Sequence, residues 1–434
     1  MTTDIAIVLI VFLLFIVLIL TGRAKIHVAA MMIPVALEVT GVLGFKDAWG
    51  GLLNSSVIMM GSMFVISSAI NKTSLVSRLS KALIKPGSSD FKIMLGLSVP
   101  VLLLGCFINA ATLIPIMLPM ITAICAEQRR PVSKFVYPVC VLAQLWAGFI
   151  PTGGNAGTYL ANNTIVENLG GVGTWGYFTI MISKIPVILI MVPLILWYSV
   201  KIAPDNGDIP SLEDSTKAAA EVAAKAKRKS GTLSANQEKA VMIIFALTVI
   251  GVVACAVTGN STWWPSCIAA LVLIFSGILT DREAISAVGN PVIFITIGTL
   301  PLATALNVTG ADVLLADLFN KATGGLSPLM TMLLMYLVTC ILTQFVTNSA
   351  VSNAFKTLAA LISVQNGYDA RALMLAAQEG SSNCYLFPAA APGMTLAYEA
   401  GGYTLKQHFK QGLLLTIVRL AIFAVYVPMI YPLV

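Results

Sequence analysis

The sequence predicts an all-α polytopic membrane protein with about ten transmembrane spans plus two re-entrant helical hairpins, set in two inverted repeats. Three observations carry this. Of the 434 residues, 58% are hydrophobic and only 10% charged, with a mean hydropathy of +0.90, so the chain cannot dress a surface against water. Apolar stretches of about 20 residues recur from end to end, each long enough for a hydrocarbon core of ~30 Å. The two sides of one hydrophilic stretch, 203–238, resemble each other, the mark of an internal duplication.

Residues 4–21 have no basic flank before them and no small-residue cleavage site after them, so they read as a retained span rather than a signal peptide. Spans 25–44 and 52–71 follow, then a basic amphipathic piece at 74–85. The arms 91–108 and 113–126 flank the polar Asn109-Ala110-Ala111-Thr112 and form a first hairpin, 91–127. Spans 133–150 and 175–200 complete a first repeat, 1–202. Segment 203–238 is a solvated linker rich in Ala and Lys. The second repeat, 239–434, holds 239–258, 261–280, 290–309, an amphipathic piece at 311–322, a hairpin at 327–366, and the stretches 369–389 and 409–434.

The duplication rests on a steady offset. Gly41-Val-Leu-Gly-Phe-Lys-Asp-Ala aligns with Gly277-Ile-Leu-Thr-Asp-Arg-Glu-Ala at 236 residues. Asn54 and Gly61 fall opposite Asn290 and Gly298, and Phe149-Ile-Pro151 aligns with Leu386-Phe-Pro388 at 237. Five crossings per half is an odd number, which inverts one repeat relative to the other. With that topology 20 of the 26 lysines and arginines share a face, which the positive-inside rule makes cytoplasmic. The expectation is a multi-pass protein of the cell inner membrane, with linker 203–238 in the cytoplasm and both termini outside.

The net charge of +7 is scattered over short loops, which argues against nucleic acid as a partner. The seven cysteines form no C-x-x-C or Cys/His cluster, and His27 and His408 are the only histidines. No metal site, catalytic triad or enzyme activity is expected, and no cofactor beyond sodium as a coupling ion.

The densest polar run inside an apolar stretch is Gln344-Phe-Val-Thr347-Asn348-Ser349-Ala-Val-Ser-Asn353. Unpaired polar groups cost several kcal/mol in hydrocarbon, so such a run belongs in protein or beside a water-filled cavity. A broken helix there aims amide N–H groups and a positive half-helix terminus at a carboxylate, and freed carbonyls suit sodium. The same residues could instead act as hydrogen-bonding glue between packed helices. A second pair of breaks follows one span later, at Pro151-Thr152-Gly153-Gly-Asn155-Ala-Gly157 and at Ser381-Ser382-Asn383-Cys-Tyr-Leu-Phe-Pro388-Ala-Ala-Ala-Pro392-Gly393. Glu38, Lys184, Lys356, Glu379 and Arg419 are the ionisable residues in apolar context, each a functional candidate by default. Lys184 and Arg419 read most simply as snorkelling or paired, while Glu379 sits beside the Ser-Ser-Asn run where a cation could bind.

These motifs resemble the divalent-anion/sodium symporter family of di- and tricarboxylate carriers, in the ion transporter superfamily. The 344–353 run is similar to that family's Glu-Phe-x-Ser-Asn-Thr-Ala-Thr-Ala-Asn hairpin tip. Pro388-Ala-Ala-Ala-Pro392-Gly, with Gly401-Gly-Tyr and Phe409-Lys-Gln-Gly412 downstream, resembles its Pro-x-x-Thr-Pro-Pro-Asn element and Lys-x-Gly. The resemblance implies a homodimer in membrane lipid, a fixed scaffold, and a transport domain that carries a small anionic substrate by an elevator motion. It implies that Thr347, Asn348 and Ser349 hold a substrate carboxylate, with help from Asn109, Ala110, Ala111, Thr112 and Pro392. The ion-binding candidates are Thr152, Gly153, Asn155, Glu379, Ser381, Ser382 and Asn383.

The chain departs from the family at the first tip, Asn-Ala-Ala-Thr in place of Ser-Asn-Thr. It departs again where Thr-Pro-Pro-Asn becomes Gly154-Asn-Ala-Gly157 and Ala391-Pro-Gly-Met394. An anion exchanger without sodium coupling, a proton-coupled carrier, and a cation/proton antiporter or metalloid exporter of the same superfamily stay open. The last is disfavoured by Asn109 and Thr347 where an aspartate is expected.

Overall fold

A backbone in hydrocarbon has no water to bond, and among the described residues this chain answers with α-helix and short 3-10 turns, without a strand. The computed structural model describes residues 2–21, 23–73, 87–106, 110–207, 209–210, 233–323 and 325–433. The N-terminal half contains α1 (Thr3–Leu20), α2 (Ile26–Val39), α3 (Phe45–Ala48), α4 (Ser55–Asn71), α5 (Asp90–Leu104), α6 (Ala110–Gln128), α7 (Val136–Trp146), α8 (Thr158–Asn168) and α9 (Thr179–Ile202). The C-terminal half contains α10 (Ala235–Thr258), α11 (Trp263–Phe275), α12 (Asp281–Val288), α13 (Pro291–Thr309), α14 (Ala311–Thr323) and α15 (Pro328–Leu342), then α16 (Asn348–Asn366), α17 (Ala370–Ser381), α18 (Pro392–Ala400) and α19 (Leu405–Ile430). Four of these are long and apolar enough to cross a membrane: Thr179–Trp197, Ala235–Thr258, Pro291–Thr309 and Leu405–Ile430. Shorter apolar helices, α1, α2, α4, α11 and α15 among them, accompany these four.

Residues aligned between the halves take the same local roles. Gly41 and Gly277 both turn the chain at positive φ, 77° and 71°, a region that a side chain disfavours. Asn54 caps α4 by accepting from Ser56 N at 2.9 Å, and Asn290 caps α13 by accepting from Val292 N at 3.0 Å. The halves also pack reciprocally, α2 against α13 and α4 against α11. At Gly298 the backbone of α13 lies so close to the Ala30 carbonyl of α2 that a Cβ would not fit.

Helices α7 and α17 are the most enclosed. Every residue from Val136 to Leu145 is buried, and α17 is buried over nearly its whole length. Its run of alanines lets α15 and α16 approach closely on two sides. One apolar core joins α5, α6, α7, α9, α18 and the segment around Tyr385; a larger one joins α1, α2, α4, α8, α10, α11 and α13–α17.

Several expectations are corrected here. The stretches 133–150 and 369–389 are not continuous spans: α7 stops at Trp146 and α17 at Ser381. After each break a short helix resumes, α8 and α18, which hydropathy did not reveal. Helix α8 carries Asn162, Asn163, Thr164, Glu167 and Asn168 and so lacks an apolar signature. It packs on α13, α4 and α16, while α18 packs on α6 and α7, so each half lends a helix to the other. Helix α16 begins at Asn348, three residues before the apolar stretch at 351. The start of the linker is not free in solvent. Asn206 donates to Gly401 O and Gly402 O at 2.8 and 2.9 Å and accepts from Gln407 Nε2 at 3.0 Å. The piece at 74–85 and linker residues 211–232 lie outside the described residues.

Candidate functional site

Each hairpin meets the break that follows it in its own half. In the C-terminal half Thr343 is the C-cap of α15, and its hydroxyl donates to Ser381 O at 2.6 Å and lies 2.8 Å from Asn348 Oδ1. Asn348 Nδ2 reaches Cys384 Sγ at 3.2 Å. Gln344 Nε2 donates to Asn383 O at 2.8 Å, and Gln344 Oε1 accepts from Leu386 N at 3.1 Å. In the N-terminal half the Thr152 hydroxyl donates to Cys106 O, and Trp146 Nε1 points at Cys106 Sγ. Gly153 turns the first break at φ 57°, and Asn155 follows it with its amide against Gly148.

The second tip is a helix start. Thr347 is the N-cap of α16, in extended conformation and with no side-chain cap hydrogen bond. Its side chain and that of Ser349 are exposed, and Asn348 is half-buried between them. The first amides of a helix have no partner within it and carry its positive dipole end. Ser352 and Lys356 repeat at four-residue steps from Asn348, so one face of α16 stays polar for two turns. Lys356 is 8% exposed and, among the described residues, pairs with no carboxylate. The sequence flagged Lys356 as an intramembrane charge but gave it no part in a site; the four-residue steps from Asn348 through Ser352 to Lys356 were the available signal.

At the first tip Asn109 lies outside the described residues, and only the backbone of Ala111 and Thr112 is described. Ala110 opens α6 and is buried. Pro392 opens α18, and Gly393 beside it lies against Ile114 of α6 with no room for a Cβ. The chain thus brings Pro392 to the first hairpin and the 381–384 segment to the second.

Between the breaks lies a cluster assembled from three helices. Glu379 Oε2 accepts from Arg419 Nη2 at 2.8 Å, and Glu379 Oε1 lies 3.2 Å from Lys184 Nζ. Arg419 Nη1 donates to Ser382 O at 2.8 Å and to the Tyr385 hydroxyl at 2.7 Å. Lys184 Nζ donates to Ala147 O at 3.1 Å. The three charged side chains are 1–3% exposed. Tyr137 of α7 ties the second break to the first half by donating to Tyr385 O at 2.7 Å. Asn383 donates to the Tyr336 hydroxyl at 3.0 Å and to Thr416 O at 3.2 Å.

Apolar helices around buried polar breaks, with charges held inside, are the build of a polytopic membrane protein. The chain matches CitMHS, the citrate transporter family, over residues 16–377, and it belongs to that family. An uncharacterized transporter of Synechocystis, sll0640, is 27% identical over 186 residues, 43% of this chain. The matched stretch spans 30% of that relative's length. Two solved structures share the fold. The Alcanivorax borkumensis YdaH transporter superposes with a TM-score of 0.57 at 14% identity, covering 90% of this chain and 87% of its own. Neisseria gonorrhoeae MtrF does so with a TM-score of 0.61 at 12% identity, covering 98% and 95%.

Proposed function

We propose that this protein is a secondary active carrier of small organic anions of the di- or tricarboxylate class, working by an elevator motion of the hairpins and breaks. The start of α16 carries the reading: Thr347, Asn348 and Ser349 offer hydroxyl, amide and backbone donors at a helix N-terminus, with the unpaired Lys356 two turns along. A carboxylate at the tip would be met by the donors, and a second negative group could draw on the Lys356 charge. The family name, citrate transporter, agrees with that chemistry. The resemblance further supports a homodimer, two inverted repeats and a cytoplasmic linker.

The test is uptake of labelled citrate and succinate into proteoliposomes. Asn348→Leu lowers uptake about tenfold or more, the equivalent of about 1.4 kcal/mol from one lost hydrogen bond to a charged group. Lys356→Gln raises KM more for citrate than for a monocarboxylate, and Lys356→Arg restores much of the loss. Uptake indifferent to both changes would sink the assignment. Loading the vesicles instead measures efflux, the direction in which MtrF, described as an antimetabolite efflux pump, works.

A further inference from the structure

A helix interrupted inside a protein ends on carbonyls that its own amides cannot reach. In carriers with broken spans, such carbonyls are ligands for a coupling sodium ion. Here the chain fills them itself. The C-cap carbonyl of α7, Ala147 O, accepts from Lys184 Nζ at 3.1 Å. The C-cap carbonyl of α17, Ser382 O, accepts from Arg419 Nη1 at 2.8 Å. Lys184 comes from α9 and Arg419 from α19, the long final helix of each half, so the two breaks are capped by cations in matching fashion.

Other oxygens at the breaks are engaged as well. Ser381 O accepts from Thr343, Asn383 O from Gln344 and Pro151 O from the Tyr177 hydroxyl, at 2.6, 2.8 and 2.5 Å. The hydroxyls of Ser381 and Ser382 both donate to Gln378 O at 2.8 Å, and the Thr152 hydroxyl donates to Cys106 O. Both oxygens of Glu379 face a cation. Among the described residues beside the second break, the buried side-chain oxygens without a hydrogen bond are Gln378 Oε1, Glu379 Oε1, Asn383 Oδ1 and Thr416 Oγ1, and Glu379 Oε1 lies 3.2 Å from Lys184 Nζ. A hard cation needs a cage of oxygens with net negative charge, and here the one carboxylate is already shared by Lys184 and Arg419, so a further cation would enter a net positive cluster. The donor set does not fit sodium.

From this we infer that Lys184 and Arg419 are resident cations standing where coupling sodium would bind, so that transport proceeds without a sodium gradient. The inference rests on the anion-carrier reading for its transport consequence, but not for its binding consequence. With Lys184 and Arg419 both protonated, one glutamate balances two cations and leaves one positive charge between the breaks. That charge favours an entering anion, a task otherwise left to bound sodium.

Two measurements on the full chain decide it. Melting of the purified protein is compared in sodium, potassium and choline chloride. Uptake of labelled citrate and succinate is compared with a sodium gradient and with potassium replacing it. The wild type melts within about 1 °C in all three salts, and its uptake agrees within about twofold, because a cation that does not bind cannot stabilise the fold. Lys184→Gln, which frees Ala147 O and one oxygen of Glu379, gains a melting rise specific to sodium. A sodium-specific rise in the wild type, or uptake that collapses tenfold without sodium, overturns the inference. So does a folded Lys184→Gln protein indifferent to sodium, because Lys184 would then be an interhelical lock and not a substitute ion. Where Lys184→Gln does not fold, the wild-type comparison decides alone. A wild type that melts alike in every salt yet moves no anion would fail the carrier reading while leaving the resident cations in place.

Discussion

At the scale of the residue, Glu379 holds the most exposed position energetically because it faces two buried cations at once. Removing one partner of a buried ion pair leaves an uncompensated charge and costs about 3–5 kcal/mol. Glu379→Gln is therefore expected to lower the melting temperature sharply and to shrink the monodisperse fraction in detergent. Replacing all three charges with apolar residues, Lys184→Met with Glu379→Leu and Arg419→Met, recovers most of that loss. A gentler ion pair sits near the edge of the molecule, where Lys72 Nζ bridges to Glu283 at 2.9 Å and to Ile278 O at 3.1 Å. Partial burial raises the Glu283 carboxyl, but the Lys72 hydrogen bond, with the Thr280 amide and hydroxyl, outweighs it and holds the group below its ordinary value. The sign follows: the bridge contributes fully above about pH 4.3 and fades as pH falls through the lowered value. Glu283→Gln should flatten that acid limb of a melting-versus-pH curve, by under about 1 kcal/mol because the pair is partly solvated. The rare charges were visible in the sequence one by one. Their meeting was not, since Lys184 and Glu379 lie in different halves and Arg419 is 40 residues beyond Glu379.

At the scale of the element, the breaks depend on glycines that admit a neighbour's backbone. A Cβ on Gly412 would collide with Tyr385 O and the Tyr137 hydroxyl, and one on Gly380 with Tyr336 O and the Thr339 hydroxyl. Gly412→Ala pushes α19 away from the second break, and Gly380→Ala pushes α17 away from α15. Each should cost about 1–3 kcal/mol in melting experiments, as overpacking does elsewhere. The helices themselves were legible wherever apolar runs exceeded about 15 residues, and the break positions were legible from Gly and Pro. The resumed helices α8 and α18 escaped because they are short. Helix α8 is also polar, its Asn162 wholly buried with both amide atoms unpartnered. Helices of 11 and 9 residues offer too few turns for a helical period to stand out. The broken helix at this run was legible, but its start at Asn348, three residues before the apolar stretch at 351, was not, because capping residues are polar and hydropathy discards them.

At the scale of the whole molecule, the halves are bound by reciprocal packing and by the tie between Asn206 and the turn before α19. The proposed inversion of the two halves carries a topological prediction. In a background without reactive native thiols, Asn109→Cys labels with an impermeant maleimide from the linker side and Ser349→Cys from the opposite side. Labelling of both from one side in every condition would contradict inverted hairpins. The polytopic class was readable because solvent chooses composition, and lipid leaves a strong mark; the transporter resemblance came from the motifs at 344–353 and 388–393. Substrate class was readable only as far as donor type, since the separation of the two tips is a property of packing.

The exchange of helices between halves also has a consequence for how the protein comes into being. Translation delivers α8 long before α13 and α16, the surfaces it rests on, exist. Until then the buried Asn162 lacks the second-half surfaces that enclose it. The nascent first half is therefore a waiting intermediate, and the two halves made as separate chains should accumulate only when expressed together.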